Sequence, residues 1–193
     1  MLSRLYKANQ GLLQQKLGLM QVLANRLGPE QAKEIYRTTC PIVGASMGQH
    51  IRHSMDHIEK AIKATSHPDD RTIRYDVRER GGTDESDMDA AKQRIERVSK
   101  LLQDISVSES YIPVMDHRIE ARFMLSGDDE AEFPLPSTAA RELGFAAHHA
   151  IHHLAMVKII VLQTAKLSES DLPHSFGKAP STINFERHEH RVE

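Results

Sequence analysis

The stretch Phe145-Ala-Ala-His-His-Ala-Ile-His-His-Leu154 decides how this chain is read. Four histidines fall within six residues, inside an apolar segment with the period of a helix. Placed at steps of about 100°, Leu143, Ala146, Ala150, Leu154, Val157 and Val161 share one face. His149 and His153 border that face, one helical turn apart. An i, i+4 histidine pair brings both imidazoles to one spot on the helix surface, as two ligands of a single metal require. His148 and His152 have the same spacing but point further from the apolar face, so they read as exposed or as orienting partners of the other two.

A second histidine-rich helix lies upstream, in Gly48-Gln-His-Ile-Arg-His-Ser-Met-Asp-His57. Met47, Ile51, Met55, Ile58 and Ile62 form its core stripe, and His50, His53 and His57 form an adjacent stripe. His50 lies closest to the apolar centre, followed by His57 and then His53. One inward ligand from this helix and two from the other make a three-histidine site, with His50 the first candidate and His57 the reserve. Such a site leaves positions open for water or substrate, as catalytic metal sites do. Imidazole ligands suit zinc, nickel, iron or copper.

Working outward, the sequence predicts a helical bundle. Leu12, Leu13, Leu17, Met20, Leu23 and Leu27 mark a first helix, stopped by Gly28-Pro29. Pro29 suits the first turn of a short helix through Tyr36. Ser46 can cap the histidine helix, which runs to about Ala64. Residues 68–85 are polar and read as a loop. A third long helix, from about Ser86 to Ile105, carries the stripe Met88, Ala91, Ile95, Val98, Leu102 and Ile105, with acids and caps among Asp84 to Asp89. Arg118-Ile-Glu-Ala-Arg-Phe-Met-Leu alternates with period two before the turn Ser126-Gly-Asp-Asp, which predicts a small β excursion ended by Pro134-Leu-Pro. Tyr111 to Val114 adds a further extended candidate. Ser137 or Thr138 caps the main helix, which runs to about Lys166. The tail reads as irregular, with a charged run from Glu186. The organisation is thus one domain over residues 1–185 and a charged tail over 186–193.

Composition bounds the function. The 193 residues suit one domain, with 39% hydrophobic and 27% charged residues. A net charge of -2 gives no electrostatic footprint for nucleic acid or an acidic membrane. No uninterrupted apolar run of about 18 residues predicts a membrane span. The single cysteine, Cys40, makes no internal disulfide, and a reducing, cytoplasmic setting is the default. Residues 1–29 hold Arg4, Lys7, Lys16 and Arg26 and no acid, a pattern compatible with a mitochondrial transit peptide but also with the first helix that the bundle needs for its core. Seven of the twelve histidines sit in the two segments above, interleaved with core residues, unlike a purification tag.

Other polar residues adjoin these segments. Glu142 lies two turns before His149 on the same face, as a fourth ligand, a general base, a partner that orients a ligand, or simply an acid in the first turn of its helix. Asp56 can orient His53 or be solvated. Arg52 and Arg141 can hold an anionic substrate group or lie on the surface. Cys40 can reach the mouth of the site or be a buried, inert thiol.

The segments Ser46-Met-Gly-Gln-His-Ile-Arg-His-Ser-Met-Asp-His57, Ser137 through Ala155 and Phe176-Gly-Lys-Ala-Pro-Ser-Thr182 resemble the DinB-like family, and the likeness extends from about Gly11 to Thr182. The resemblance implies an up-down-down-up four-helix bundle with a divalent metal held by His50, His149 and His153. Relatives in that family include bacillithiol and mycothiol transferases, so it also implies thiol chemistry on a small-molecule substrate, and a homodimer. The expected function is a metal-dependent enzyme of thiol-transferase or hydrolase type. Glu142 or His53 would move protons, and Arg52 or Arg141 would bind substrate. The alternative is a non-catalytic metal-binding or stress-related protein whose metal is structural.

Overall fold

A computed structural model describes residues 2–66, 71–77, 82–107, 117–128 and 131–189. The chain is mostly helical, with one small sheet. The helices are α1 (Leu2–Leu27), α2 (Pro29–Arg37), α3 (Met47–Ser66), α4 (Met88–Val107), α5 (Ala139–Thr164) and α6 (Pro180–Glu189). The strands are β1 (Thr72–Arg74), β2 (Arg118–Phe123) and β3 (Phe133–Thr138). Four long helices share one core: α1 packs on α4 and α5, and α3 packs on the same two, most extensively on α5.

The apolar stripes read from the sequence are the ones that vanish from solvent on α3, α4 and α5. Each large aliphatic side chain so buried contributes about 1.5–3 kcal/mol. On α1 the pattern is less regular. Leu12, Leu13, Met20 and Leu23 are buried, whereas Leu17 and Leu27 are only half-buried, and the amine-bearing Lys16 is fully enclosed between them. By length and composition α5 would suffice to cross a bilayer, although its histidines interrupt the apolar run. Here its apolar face lies at the centre of the core.

The caps set where the two histidine helices begin. Ser46 and Gln49 cap α3 reciprocally: the Gln49 amide donates to Ser46 Oγ at 3.2 Å, and the Ser46 amide donates to Gln49 Oε1 at 2.9 Å. Thr138 caps α5, its Oγ1 accepting from the Arg141 amide at 3.3 Å. Asp87 caps α4 by accepting from the amides of Asp89 and Ala90.

The β excursion departs from expectation in three ways. It is a three-stranded sheet in the order β1-β2-β3, with β1 parallel and β3 antiparallel to β2. Strand β1 comes from the polar stretch read as loop; three residues are too few to show a period. Pro134 and Pro136 do not end the excursion but lie within β3, opposite Arg122 and Glu120. As the outer strand, β3 tolerates residues without an N–H donor. The expected extended segment Tyr111 to Val114 lies outside the described residues. The tail is also less irregular than expected, since α6 starts on Pro180, which suits a first helical position, and continues through Glu189.

The sheet's buried face, Ile73, Ile119 and Ala121, forms a second small core with Ala64 of α3 and Tyr75, against which Phe123 and Phe145 pack. Lys60 of α3 fixes the chain after β1 by donating to the carbonyls of Arg74, Tyr75 and Val77. The aromatic rings of this segment are thereby delivered to the histidine side of α3.

Gly48 marks the tightest helix contact. A Cβ built there would lie 1.9 Å from the Glu85 carbonyl oxygen and 2.7 Å from the Tyr36 ring. Helix propensity alone would make Gly48→Ala favourable by about 1 kcal/mol. The collision with backbone reverses the sign, and we expect Gly48→Ala to lose about 3 kcal/mol in urea unfolding. A variant as stable as the parent would mean that α3 and the turn at Thr83–Glu85 are not in contact at this point.

Candidate metal centre

Helices α3 and α5 place five histidines together. His149 stands at the middle: its Nε2 lies 3.1 Å from His53 Nε2 and 3.1 Å from His153 Nε2. His153 Nδ1 in turn lies 2.8 Å from His50 Nδ1. The His57 ring stacks on His149 with centroids 4.1 Å apart. His53, His57 and His149 each offer a ring nitrogen, all within 4.8 Å of one another, and form a group that could hold a metal ion.

Two nitrogens bound to one tetrahedral zinc at about 2.05 Å sit about 3.3 Å apart. The 3.1 Å separations at His149 are close to that spacing. A second observation bears on the fit. His57 is 4% exposed, and neither of its ring nitrogens has a hydrogen-bond partner. The His50 Nε2 is likewise buried without a partner. Buried polar atoms left unpaired cost about 1–3 kcal/mol each, and a bound ion is one way to satisfy them.

Burial, joined at His57, His149 and His153 by the neighbouring imidazoles, favours the neutral form of four of these rings. Burial pushes His57 down to about 2, with further lowering from His149 and His53. His153 falls to about 3 through burial and then His149, and His149 to about 4 through burial and then His53. Burial also lowers His50.

Of the trio singled out by sequence, His149 belongs to the three-histidine group, while His50 and His153 form a neighbouring pair joined to it through His149. His53, expected to move protons, stands among the candidate ligands, and so does the reserve, His57. Every one of these side chains comes from α3 or α5. The outer pair His148 and His152 is exposed.

Glu142 is fully buried and accepts from Tyr75 Oη at 2.8 Å, from Ser137 Oγ and from the Arg141 guanidinium. It meets the histidines through Tyr75, whose ring stacks on His57 with centroids 4.5 Å apart. That geometry suits a residue that positions Tyr75 against the cluster. Tyr75, Phe123 and Phe145 form an aromatic wall beside His57 and His149. Sequence reading missed this wall, because Tyr75 sits in a stretch whose composition gives only a polar loop.

The flanking charges are already engaged. Arg52 pairs with Glu85, and Arg141 with Glu142 while lying over the Phe145 ring. Asp56 does not orient His53; it pairs with Arg94 at 2.7 Å. Cys40 is enclosed in the main core. A cavity of about 560 Å³ opens on the other side of α3 and is lined by Arg52, Asp56, Glu59, Asp84, Arg94 and Arg97. Its charges are largely paired with one another, and no histidine lines it.

Against known proteins, no family model matches the chain, and no solved structure matches it. A segment of 112 residues, 58% of this chain, is 33% identical to FK506-binding protein 5 of Rhizopus delemar. The matched segment covers 26% of that protein, so this chain corresponds to about a quarter of its length.

Proposed function

We infer that this chain binds one divalent metal between α3 and α5 and uses it to activate a thiol or a water for transfer or hydrolysis. The observation that carries the reading is His57, a buried imidazole with both nitrogens unpaired, grouped with His53 and His149. His149 is the shared ligand, with His53 and His57 completing one possible shell and His50 and His153 the other. Zinc, nickel and iron all suit imidazole donors. When bound, the metal lowers the pKa of the thiol or water it carries, so that a nucleophile exists at neutral pH.

The protein's own groups have separable tasks in this reading. The lowered pKa values leave His50, His57, His149 and His153 unprotonated and ready to ligate. Glu142 holds Tyr75, and Tyr75 holds His57 in place by stacking. The aromatic wall excludes water from one side and offers an apolar surface to a substrate. The arrangement also fits the DinB-like resemblance and its four-helix bundle, with ligands on the second and fourth long helices. The FK506-binding relative extends well beyond the matched quarter, and its name contributes no site residue here.

The test is metal analysis of the protein purified without a histidine tag. We expect close to one equivalent in the parent and a loss of affinity on the order of 100-fold in His149→Ala. Zinc, nickel or iron retained by that variant with the parent's affinity overturns the reading. His57→Ala and His50→Ala separate the two possible shells. Cobalt substitution then tests the chemistry: added thiol should shift the visible spectrum if a coordination position is open.

A second reading makes the metal structural. It rests on His153 and His50, which stand close enough to close the shell around His149. Closed four-coordinate sites support folding rather than chemistry. In that case metal removal lowers Tm strongly, and thiol leaves the cobalt spectrum unchanged.

A further inference from the structure

His148 and His152 lie one residue before His149 and His153 on α5, so the helix carries two histidine pairs on neighbouring faces. The inner pair turns toward α3. The outer pair is exposed, its ring centroids 4.7 Å apart with planes at 78°. Among the described residues neither ring is hydrogen-bonded to another side chain. We propose that His148 and His152 form a second, surface metal site, a two-imidazole chelate selective for divalent copper.

The helix supplies the preorganisation. Residues four apart on a helix are surface neighbours, so both rings can swing to one ion without any change in the backbone. Two adjacent nitrogens and solvent water make up the tetragonal arrangement that divalent copper favours. Zinc is a poorer occupant, since its structural sites draw four protein ligands. Copper also heads the affinity order of the first-row divalent ions on nitrogen donors. The outer pair thus differs in kind from the inner cluster, which has five converging imidazoles and a buried, partnerless ring. The second imidazole adds an intramolecular advantage, and losing it should weaken copper binding about 100-fold.

The experiment is a copper titration of the full-length, untagged protein against a chromophoric chelator, with electron paramagnetic resonance on the bound copper. The parent should hold one equivalent whose spectrum reports two nitrogen donors. His148→Ala and His152→Ala should each weaken that equivalent about 100-fold, and the double variant should lack it. Both residues are exposed, so the variants keep their fold, which circular dichroism verifies. The inner cluster is scored separately, because His149→Ala should leave the two-nitrogen equivalent intact whether or not the inner site takes metal. The same copper stoichiometry and affinity in the double variant as in the parent would overturn the proposal. So would a two-nitrogen signal that disappears in His149→Ala.

Discussion

Replacing Lys16 by methionine is expected to stabilise this protein by about 4–5 kcal/mol at neutral pH. The Lys16 side chain is fully enclosed, and its amine donates to the Met55 sulfur at 3.6 Å, a weak acceptor. Burial, and then the charge of Arg94, push its pKa from 10.5 down to about 7. Since the folded pKa lies below the unfolded one, the unfolded chain binds the extra proton between pH 7 and 10.5. The destabilisation is therefore complete below about pH 7 and disappears as the pH rises toward 10.5. Methionine has similar length, leaves little cavity and needs no partner. Urea unfolding of both proteins from pH 6 to 10.5 checks this. The gap should be widest at the acidic end and close toward the alkaline end. A gap that is constant with pH, or absent at pH 7, would show that the Lys16 amine is not buried as described.

Lys16 also shows where sequence reading reaches its limit. Position 16 falls among Leu13, Leu17 and Met20, and a lysine there reads as the solvent edge of an amphipathic helix. The choice between Lys16 and Leu17 for the interior depends on how α1 is rolled against α3, α4 and α5, which no local pattern encodes. The long helices and their stripes were legible because Met47, Ile51, Met55, Ile58 and Ile62 repeat at the helical period over about four turns. That the two histidine segments face each other was legible for the same reason. Which α3 histidine comes nearest His149 was less so. His50, His53 and His57 span two turns, and their angular order gives direction but not height along the helix. Heights are set by the cap at Ser46 and by the contact at Gly48. The aromatic wall was invisible, since it depends on Tyr75 being carried across by a three-residue parallel strand.

Arg94 is the counterpart to Lys16, a charge whose removal should cost stability. Its guanidinium meets Asp56 at 2.7 Å, Glu59 at 2.9 Å, and Asp84. Burial alone would lower its pKa, but hydrogen bonds and charge from Glu59, with bonds to Asp56 and Asp84, raise it instead. Removing it leaves three carboxylates near one another, Asp56 and Glu59 on α3 and Asp84 in the turn at Thr83–Glu85. Arg94→Met should cost about 3 kcal/mol, as expected when one partner of an enclosed ion pair is taken away. Arg94→Lys should recover less than half, because a single ammonium cannot fork to three acids. The effect should reach the metal site. Asp56 and Glu59 flank His57 in sequence, so Arg94 tethers to α4 the turn of α3 that carries the buried ring. Removing that support should weaken metal binding by about 10-fold, the range seen when the partners that orient ligands are lost. Urea midpoints and metal affinities of the three proteins, measured together, separate the two effects. If stability falls while metal affinity is unchanged, the cluster is held by α5 and the Ser46 cap rather than by the α3–α4 contact. If neither changes, the three ion pairs contribute no more than exposed ones do.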